Sequence, residues 1–205
     1  MARARAPRKK AGDRSPEARL IDAALMLAAR QGWRRTSLAE IAAEAGLPLH
    51  EAYALHRSKG SILRAFLRRT DADVLAGASA SGESPRERLF DTLMRRFDAL
   101  KPHKEGVRAI LRDSAGTPAA LFGLPVLRRS MRWMLEASGI SSAGCRGRLV
   151  ADATVAIYLS VLRVFLADDS ADLGRTMAAL DRALRRAEQL CRFLPHAPRE
   201  AAKAA

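Results

Sequence analysis

Apolar residues recur every three or four positions along most of this chain, and this spacing predicts helices. The first stripe follows Ser15-Pro16-Glu17, which places a capping hydroxyl, a proline and an acid where a helix begins. Its apolar positions include Leu20, Ala24 and Leu27. The sequence shows no convincing strand pattern and no repeat, so the predicted fold class is all-α.

The later stripes predict a helical C-terminal body. The predicted helices lie at 62–74, at 85–100, in a short stretch ending near Ser114, after Pro125, at 149–167 and behind Ser170, which can cap the last one. Nearly every position from 149 to 167 is apolar. We therefore predict there a core helix that is buried on several sides, rather than a membrane span.

Between the first stripe and the body, two short helices are predicted to meet at a glycine turn. Ser37 and Glu40 have the spacing of a capping box, which marks the start of one helix. Gly46 suits the left-handed position that ends this helix, and Pro48 can open the next one. Ser58 can cap a third helix. Two short helices joined in this way form a helix-turn-helix, whose second helix can enter a DNA major groove.

The residues of this stretch also follow a characteristic order. They are Thr36-Ser37, Ile41-Ala42, Ala45-Gly46-Leu47, Tyr53 and Ser58-Lys59. In this order they resemble the DNA-binding signature of TetR-type repressors. The resemblance implies a helix-turn-helix DNA-binding domain at residues 15–60 and a helical ligand-binding and dimerisation domain at 61–194. Composition predicts a disordered basic arm at 1–14 and a disordered tail at 195–205.

The resemblance assigns phosphate contacts to four residues of the predicted head. Tyr53 matches the family's phosphate-contacting tyrosine, and Lys59 matches a contact at the start of the following helix. Thr36 and Ser37 stand where the family makes further phosphate contacts. The residues alone leave three alternatives open: a Tyr53 packed against the first helix, a solvated Lys59, and a Ser37 that acts only as a cap.

Leu49 and His50 are the candidates for reading bases, because they occupy the exposed first turn of the second short helix. His50 could donate to a purine, and Leu49 could touch a thymine methyl group. The predicted partner is double-stranded DNA, and a two-fold dimer would present two such helices to a palindromic operator.

The resemblance further implies a pocket in the body for a small hydrophobic ligand. The residues on the surrounding helices are Phe97, Leu100, Phe122, Met131, Trp133, Met134 and Tyr158. Ordinary core packing explains each of them equally well. The last two predicted helices carry more apolar surface than one face can bury, and in the family they form a four-helix homodimer interface. A ligand that changes the spacing of the two heads would release the operator.

The charge of the chain agrees with a nucleic-acid partner but does not require one. The formal net charge is +14 and the sequence pI is about 11.1, which favours polyanions such as nucleic acid or an acidic membrane surface. Frequent arginine and alanine can equally reflect a GC-rich genome. The two cysteines, Cys145 and Cys191, lack metal-ligand spacing, which indicates free thiols in the reduced cytoplasm.

Catalysis has little support in this sequence. The histidines His50, His56, His103 and His196 are scattered, and no pair stands at metal-ligand spacing. The sequence contains no phosphate-binding glycine loop and no nucleophile elbow. We therefore predict a protein that is not an enzyme and that uses no metal or cofactor.

A second resemblance leaves another function open. Residues 162–185 contain an apolar helix, an Asp-Ser-x-Asp-Leu turn at 169–173 and a Leu-Asp-Arg element. Together these features are similar to the C-terminal region of the lipid-binding ubiquinone-biosynthesis proteins that share the TetR fold. The alternative function is therefore a lipid- or isoprenoid-binding accessory protein with a vestigial DNA-binding head. The leading prediction is a ligand-responsive transcriptional repressor, supported by the basic arm, Tyr53 and Lys59.

Overall fold

A computed structural model describes residues 15–77, 84–116 and 118–193, and all regular structure within these ranges is helical. The helices are α1 (Pro16–Gln31), α2 (Leu38–Glu44), α3 (Leu49–Leu55), α4 (Lys59–Ala76), α5 (Pro85–Leu100), α6 (Lys104–Ser114), α7 (Pro118–Ala137), α8 (Gly144–Ala167) and α9 (Gly174–Phe193), with a 3-10 turn at Lys101–His103. The predicted all-α class is confirmed. The predicted arm at 1–14, the predicted tail at 195–205 and the side chains of 118–122 and 191–193 lie outside the described residues.

The helices of the head, α1 to α3 and the start of α4, begin where the capping residues predict. The Ser15 hydroxyl accepts from the Ala18 N–H at the start of α1. Ser37 and Glu40 form the reciprocal capping box at the start of α2. Ser58 caps α4 and accepts from the Ser61 N–H. These starts are confirmed because each cap is a local interaction within one turn of chain.

The body is organised around α4 and α5, whose apolar stripes face the same core. Ile62, Phe66 and Val74 of α4 are buried, as are Leu93 and Phe97 of α5. Helix α7 contacts both of them, and α8 packs on α7 and α9. Since α4 starts in the head and ends in the body, it is the helix through which the two parts are joined.

The prediction that a helix begins only after Pro125 is wrong, since α7 begins at Pro118 and contains Pro125. A proline inside a helix removes one backbone hydrogen bond and crowds the preceding turn. Ala119, Ala120 and Leu121 before the proline are good helix formers, which favours continuation across it. The preference of these residues for a helix therefore outweighs the local stop signal.

The prediction that α8 is buried on several sides is also wrong for the single chain. Ala151, Tyr158 and Phe165 mark a buried face, whereas Leu149 and Ala156 are exposed. In the part of the chain that the structure describes, α8 is long and apolar enough to cross a membrane. However, 39% of its most apolar stretch of 18 residues is buried inside the protein. One such helix is weak support for a span, because core helices pass the same test.

The head contacts the body mainly where α1 lies against α6, and a glycine permits this approach. A Cβ on Gly106 of α6 would lie 2.5 Å from the carbonyl oxygen of Leu25 in α1. That distance is shorter than the van der Waals contact distance between a carbon and a backbone oxygen. Gly106 therefore sets how closely α6 can lie on the head.

Replacing Gly106 with alanine is expected to lower the free energy of unfolding by about 1–3 kcal/mol. The added methyl group must push the backbones of α1 and α6 apart, although alanine favours the helix itself. Gly60→Ala in α4 is the matched control, because its Cβ would meet only side-chain atoms at 3.8 Å. Denaturant titration of both variants provides the comparison, and equal stability would contradict the close contact.

Candidate functional site

The turn between α2 and α3 is held by small and apolar residues. Ala45 ends α2, and Gly46 follows with φ of +64°, in the left-handed region that favours glycine. Leu47, between the two helices, is buried. Ala52 is the only residue of α3 that the structure buries. Helix α3 therefore packs on the head through Ala52, and most of its surface is exposed to solvent.

The outward surface of α3 carries the residues predicted to meet DNA. Leu49 is 57% exposed and Tyr53 is 59% exposed, and His50 is also exposed. The centre of the Arg57 guanidinium lies 5.7 Å from the centroid of the Tyr53 ring. The alternative that Tyr53 packs against the first helix is wrong, because more than half of its side chain faces solvent. The cation beside the phenol adds positive charge to the same surface.

Thr36 and Ser37 are engaged within the head itself. Thr36 is buried, and its hydroxyl donates to the Gly32 carbonyl at 2.8 Å. The Ser37 hydroxyl donates to Glu40 Oε2 at 2.8 Å and accepts from the Glu40 N–H at 3.2 Å. Backbone and side-chain hydrogen bonds from Ser37 hold the pKa of Glu40 below its usual value. Both hydroxyls thus have structural partners, and their contacts to phosphate remain predictions.

Lys59 lies at the start of α4 and is bound to the loop before α2. Its Nζ donates to the carbonyl oxygens of Trp33 and Thr36, both at 2.7 Å. The same ammonium lies 4.7 Å from the Trp33 ring centroid, so it also makes a cation–π contact. Burial lowers the pKa of Lys59, while the charges of Asp113 and Glu40 act in the opposite direction. The alternative of a solvated Lys59 is therefore wrong.

Replacing Lys59 with methionine is expected to lower the free energy of unfolding by about 1.5–3 kcal/mol, because two carbonyl groups lose a charged donor. Arg64→Met is the matched control, since Arg64 lies exposed on the same helix and loses the same charge. Denaturant titration separates the two variants. If both lose the same stability, Lys59 does not connect α4 to the loop.

Five of the seven residues predicted to line a pocket are core residues. Phe97, Leu100, Met131, Met134 and Tyr158 are all buried. The structure brings Phe97 and Tyr158 together as stacked rings, with centroids 5.2 Å apart. Trp133 is 54% exposed on the outside of α7, which contradicts its prediction as a wall of an interior pocket. The side chain of Phe122 lies outside the described residues.

A cleft of about 300 Å³ lies elsewhere, between Asp22 of α1, Arg69 of α4 and His103. The Arg69 Nη2 donates to Asp22 Oδ1 at 2.8 Å across it. None of the predicted pocket residues lines this cleft. The cleft is a polar groove at the junction of head and body and differs from the hydrophobic pocket that the sequence predicts.

A buried arginine, which the sequence analysis missed, occupies the core of the body beside Tyr158. Arg96 of α5 is 0% exposed, and its Nη1 donates to Asp71 Oδ1 of α4. Ser130 of α7 donates to the same carboxylate at 2.5 Å. The centre of the guanidinium lies 5.3 Å from the Tyr158 ring centroid. We call Asp71, Arg96, Ser130 and Tyr158 the core polar cluster; it joins four helices of the body.

The Nε and Nη2 atoms of Arg96 have no hydrogen-bond partner within the described residues. Each unpaired buried donor costs about 1–3 kcal/mol. Burial by itself would lower the pKa of Arg96, but Tyr158 and Asp71 raise it, so the side chain stays charged. Burial likewise raises the pKa of Tyr158 and keeps its hydroxyl protonated. The core therefore holds a charged group that interacts with both Asp71 and Tyr158, and its Nε and Nη2 atoms are the part of it without a hydrogen-bond partner among the described residues.

The sequence contains a signal at Arg96 that leaves its environment undecided. It stands at helical spacing with Leu89, Leu93 and Leu100, all of which are buried. A cation in line with an apolar stripe is either a snorkelling side chain or a buried one. Only the structure shows that this stripe faces the core and that the guanidinium is fully buried there.

The turn between α8 and α9 explains the residues that resemble lipid-binding proteins. Asp168 is buried and accepts from the Ser170 N–H at 3.2 Å and from the Thr176 N–H at 2.8 Å. Burial acts to raise the pKa of Asp168, but hydrogen bonds from Ser170 and Thr176 hold it well below its usual value. These residues order the turn without any ligand, and the similarity to lipid-binding proteins remains a prediction.

The comparison with protein families concerns the head. Residues 20–66 match a family described as bacterial regulatory proteins, tetR family. The match extends from α1 into α4 and contains the whole outward surface of α3. No curated protein matches this chain by sequence.

The fold of the described chain is similar to solved regulators. A TetR transcriptional regulator from Nitrosomonas europaea ATCC 19718 has a TM-score of 0.70 and 23% identity, covering 86% of this chain and 99% of that chain. A second from Rhodococcus sp. RHA1 has a TM-score of 0.59 and 21% identity, covering 82% and 95%. A complex of SmeT with triclosan has a TM-score of 0.58 and 21% identity, covering 84% and 91%. The chain therefore has the fold of TetR transcriptional regulators, a helix-turn-helix head on a helical body.

Proposed function

We propose that this protein is a TetR-type DNA-binding transcriptional regulator that represses from a palindromic operator and is released by a small ligand. The observation that carries the proposal is the outward surface of α3, where Leu49, His50 and Tyr53 face solvent beside Arg57. An exposed helix of this kind can enter a major groove, with phosphate donors at its end. The net charge of +14 adds attraction to DNA, and such a regulator acts in the cytoplasm.

A homodimer through α8 and α9 is the second part of the proposal. One face of α8 carries exposed residues at spacings of three and four. They are Leu149, Ala153, Ala156, Ser160, Arg163 and Ala167. Mostly small and apolar residues on one face allow two helices to approach closely. On α9, Met177 and Leu190 are exposed as well. A second copy would cover these surfaces and place two α3 helices on one operator.

The third part of the proposal is a ligand site in the body, inside the domain predicted at 61–194. The rings of Phe97, Tyr158 and Phe165 form an aromatic cluster between α5 and α8. Helix α4 borders this core and contacts α1 of the head, so a change in the core can reach the head. The complex of SmeT with triclosan shows that one protein of this fold binds a compound.

Selection of fragments from the host genome by the purified protein tests the DNA-binding proposal. We expect a small set of fragments to be enriched at both low and moderate salt. Leu49→Ala/His50→Ala is expected to change which fragments are enriched, because base contacts carry selectivity of about 1–3 kcal/mol each.

Tyr53→Phe is the matched control for a phosphate contact. It removes one hydroxyl donor and is expected to weaken binding to all enriched fragments by a similar factor, on the order of two- to tenfold. Weak binding to every fragment that disappears as salt rises, in wild type and variants alike, would contradict a sequence-specific regulator.

A further inference from the structure

The unused donors of Arg96 have a defined geometry. Nε and Nη2 lie on one edge of the guanidinium, and their N–H groups point in parallel toward the same side. Such an edge matches the two oxygens of a carboxylate and binds them through two parallel hydrogen bonds. The remaining nitrogen, Nη1, is the one that donates to Asp71. The Nε–Nη2 edge of Arg96 therefore has the geometry to bind an anion through two hydrogen bonds.

We propose that the body binds an amphipathic carboxylic acid, whose carboxylate takes the Nε–Nη2 edge of Arg96 and whose apolar part lies among the surrounding core residues. This inference rests on the proposed ligand-responsive function and names the chemical class of the ligand. It departs from the sequence-based expectation of a purely hydrophobic ligand, which considered no buried cation.

The side chains near the core polar cluster suit an alkyl or aromatic chain. Phe97 stacks on Tyr158, and Phe165 packs on Phe97 with ring centroids 5.2 Å apart. Met131 and Met134 of α7 are fully buried in the same core. Methionine has three rotatable bonds and adapts to irregular shapes, so α7 can reshape around an incoming chain.

Binding of a second carboxylate would weaken the pair between Arg96 and Asp71. The guanidinium of Arg96 is fully buried, so two carboxylates on it would repel each other strongly. Asp71 is the partner that can yield, since its side chain is 17% exposed whereas that of Arg96 is 0% exposed. Because Asp71 belongs to α4, loss of this contact loosens the helix that leads to the head.

Titration of the full chain with decanoate and with decanol, followed by calorimetry without DNA, tests the ligand class. Wild type is expected to bind decanoate at least about tenfold more tightly than decanol, since only the acid can form the charged pair. The control is Asp71→Leu/Arg96→Met, which replaces both charges by apolar groups and is expected to lose this preference while still binding decanol. Equal binding of acid and alcohol by wild type, or no binding of the acid, would overturn the proposal.

Asp71→Asn gives a second readout that a purely structural role of Arg96 would not produce. Removing the competing charge is expected to tighten decanoate binding by about tenfold or more. If this variant unfolds alone, decanoate is expected to restore its fold and decanol is not. A folded Asp71→Asn protein that binds decanoate no more tightly than wild type, or an unfolded one that decanoate does not restore, contradicts the proposal.

The proposed ligand class and the proposed DNA-binding function can be refuted independently of each other. Acid binding to Arg96 in a protein without sequence-specific DNA affinity would refute the repressor and leave the ligand class standing. Sequence-specific DNA binding without any acid preference would refute the ligand class alone.

Discussion

Replacing Asp71 with leucine is expected to lower the free energy of unfolding by about 3–5 kcal/mol. The substitution leaves Arg96 fully buried with a positive charge and no counter-ion, and a buried unpaired charge is among the most destabilising changes in a protein core. Arg96→Met is expected to cost less, because Asp71 keeps its hydrogen bond from Ser130 and its side chain reaches solvent. The two partners of one ion pair should therefore differ in their effects.

The double variant Asp71→Leu/Arg96→Met distinguishes a charge effect from a loss of volume. Apolar replacement of a whole buried pair is often neutral, so its stability is expected to return to within about 2 kcal/mol of wild type. Denaturant titrations of the two single variants and the double variant give the coupling energy directly. Additive losses in the double variant would show that the two side chains contribute by packing alone.

The head was predictable from sequence because its structure depends on local signals. Ser37 and Ser58 cap helices within one turn of chain, and Gly46 takes the left-handed position that a short turn requires. Interactions of this kind are encoded by residues three or four positions apart. The exposure of Leu49 and Tyr53 follows as well, because a seven-residue helix fixed at Ala52 has only one buried side.

The body was predicted less well because its features depend on residues far apart in the chain. Pro125 was predicted to mark a helix boundary, but it lies inside α7. The burial of Arg96 was not predicted, since its contact in the core is with Asp71, which lies 25 residues away. The same holds for Lys59 in the head, whose ammonium binds two loop carbonyls 23 and 26 residues earlier. Its contact to phosphate remains a prediction. Charge and polarity alone do not say which side chains a fold encloses.

The exposed face of α8 is explained if the apolar pattern of this helix reflects burial in the proposed dimer and not in a single chain. The run of apolar residues from 149 to 167 predicts burial on several sides, and the single chain buries only one of them. A dimer reconciles the two, because the second copy would enclose the remaining face. In that case the apolar pattern corresponds to the burial of α8 in the dimer. The difference between the predicted burial and the burial in a single chain therefore supports the proposed interface.

Replacing Ala156 with glutamate is expected to convert the proposed dimer to a monomer and to weaken operator binding by about 100-fold or more. Ala156 lies exposed at the middle of the small-residue face of α8, so the fold of one chain tolerates the longer side chain. At the interface, two symmetry-related carboxylates would be desolvated and brought together. A monomer reaches only one half-site and loses the gain of about 10²–10⁴ that linked binding provides.

Ala72→Glu in α4 is the matched control, because it adds the same charge to another exposed alanine in a helix. Sedimentation of both variants reports the oligomeric state, and titration of an operator and of its isolated half-site reports the affinity. Ala156→Glu should bind the half-site as wild type does, since the head is unchanged, and should lose only the gain from the second site. A variant Ala156→Glu that remains dimeric would contradict the proposed interface on α8. So would a variant that becomes monomeric but keeps the full operator affinity of wild type.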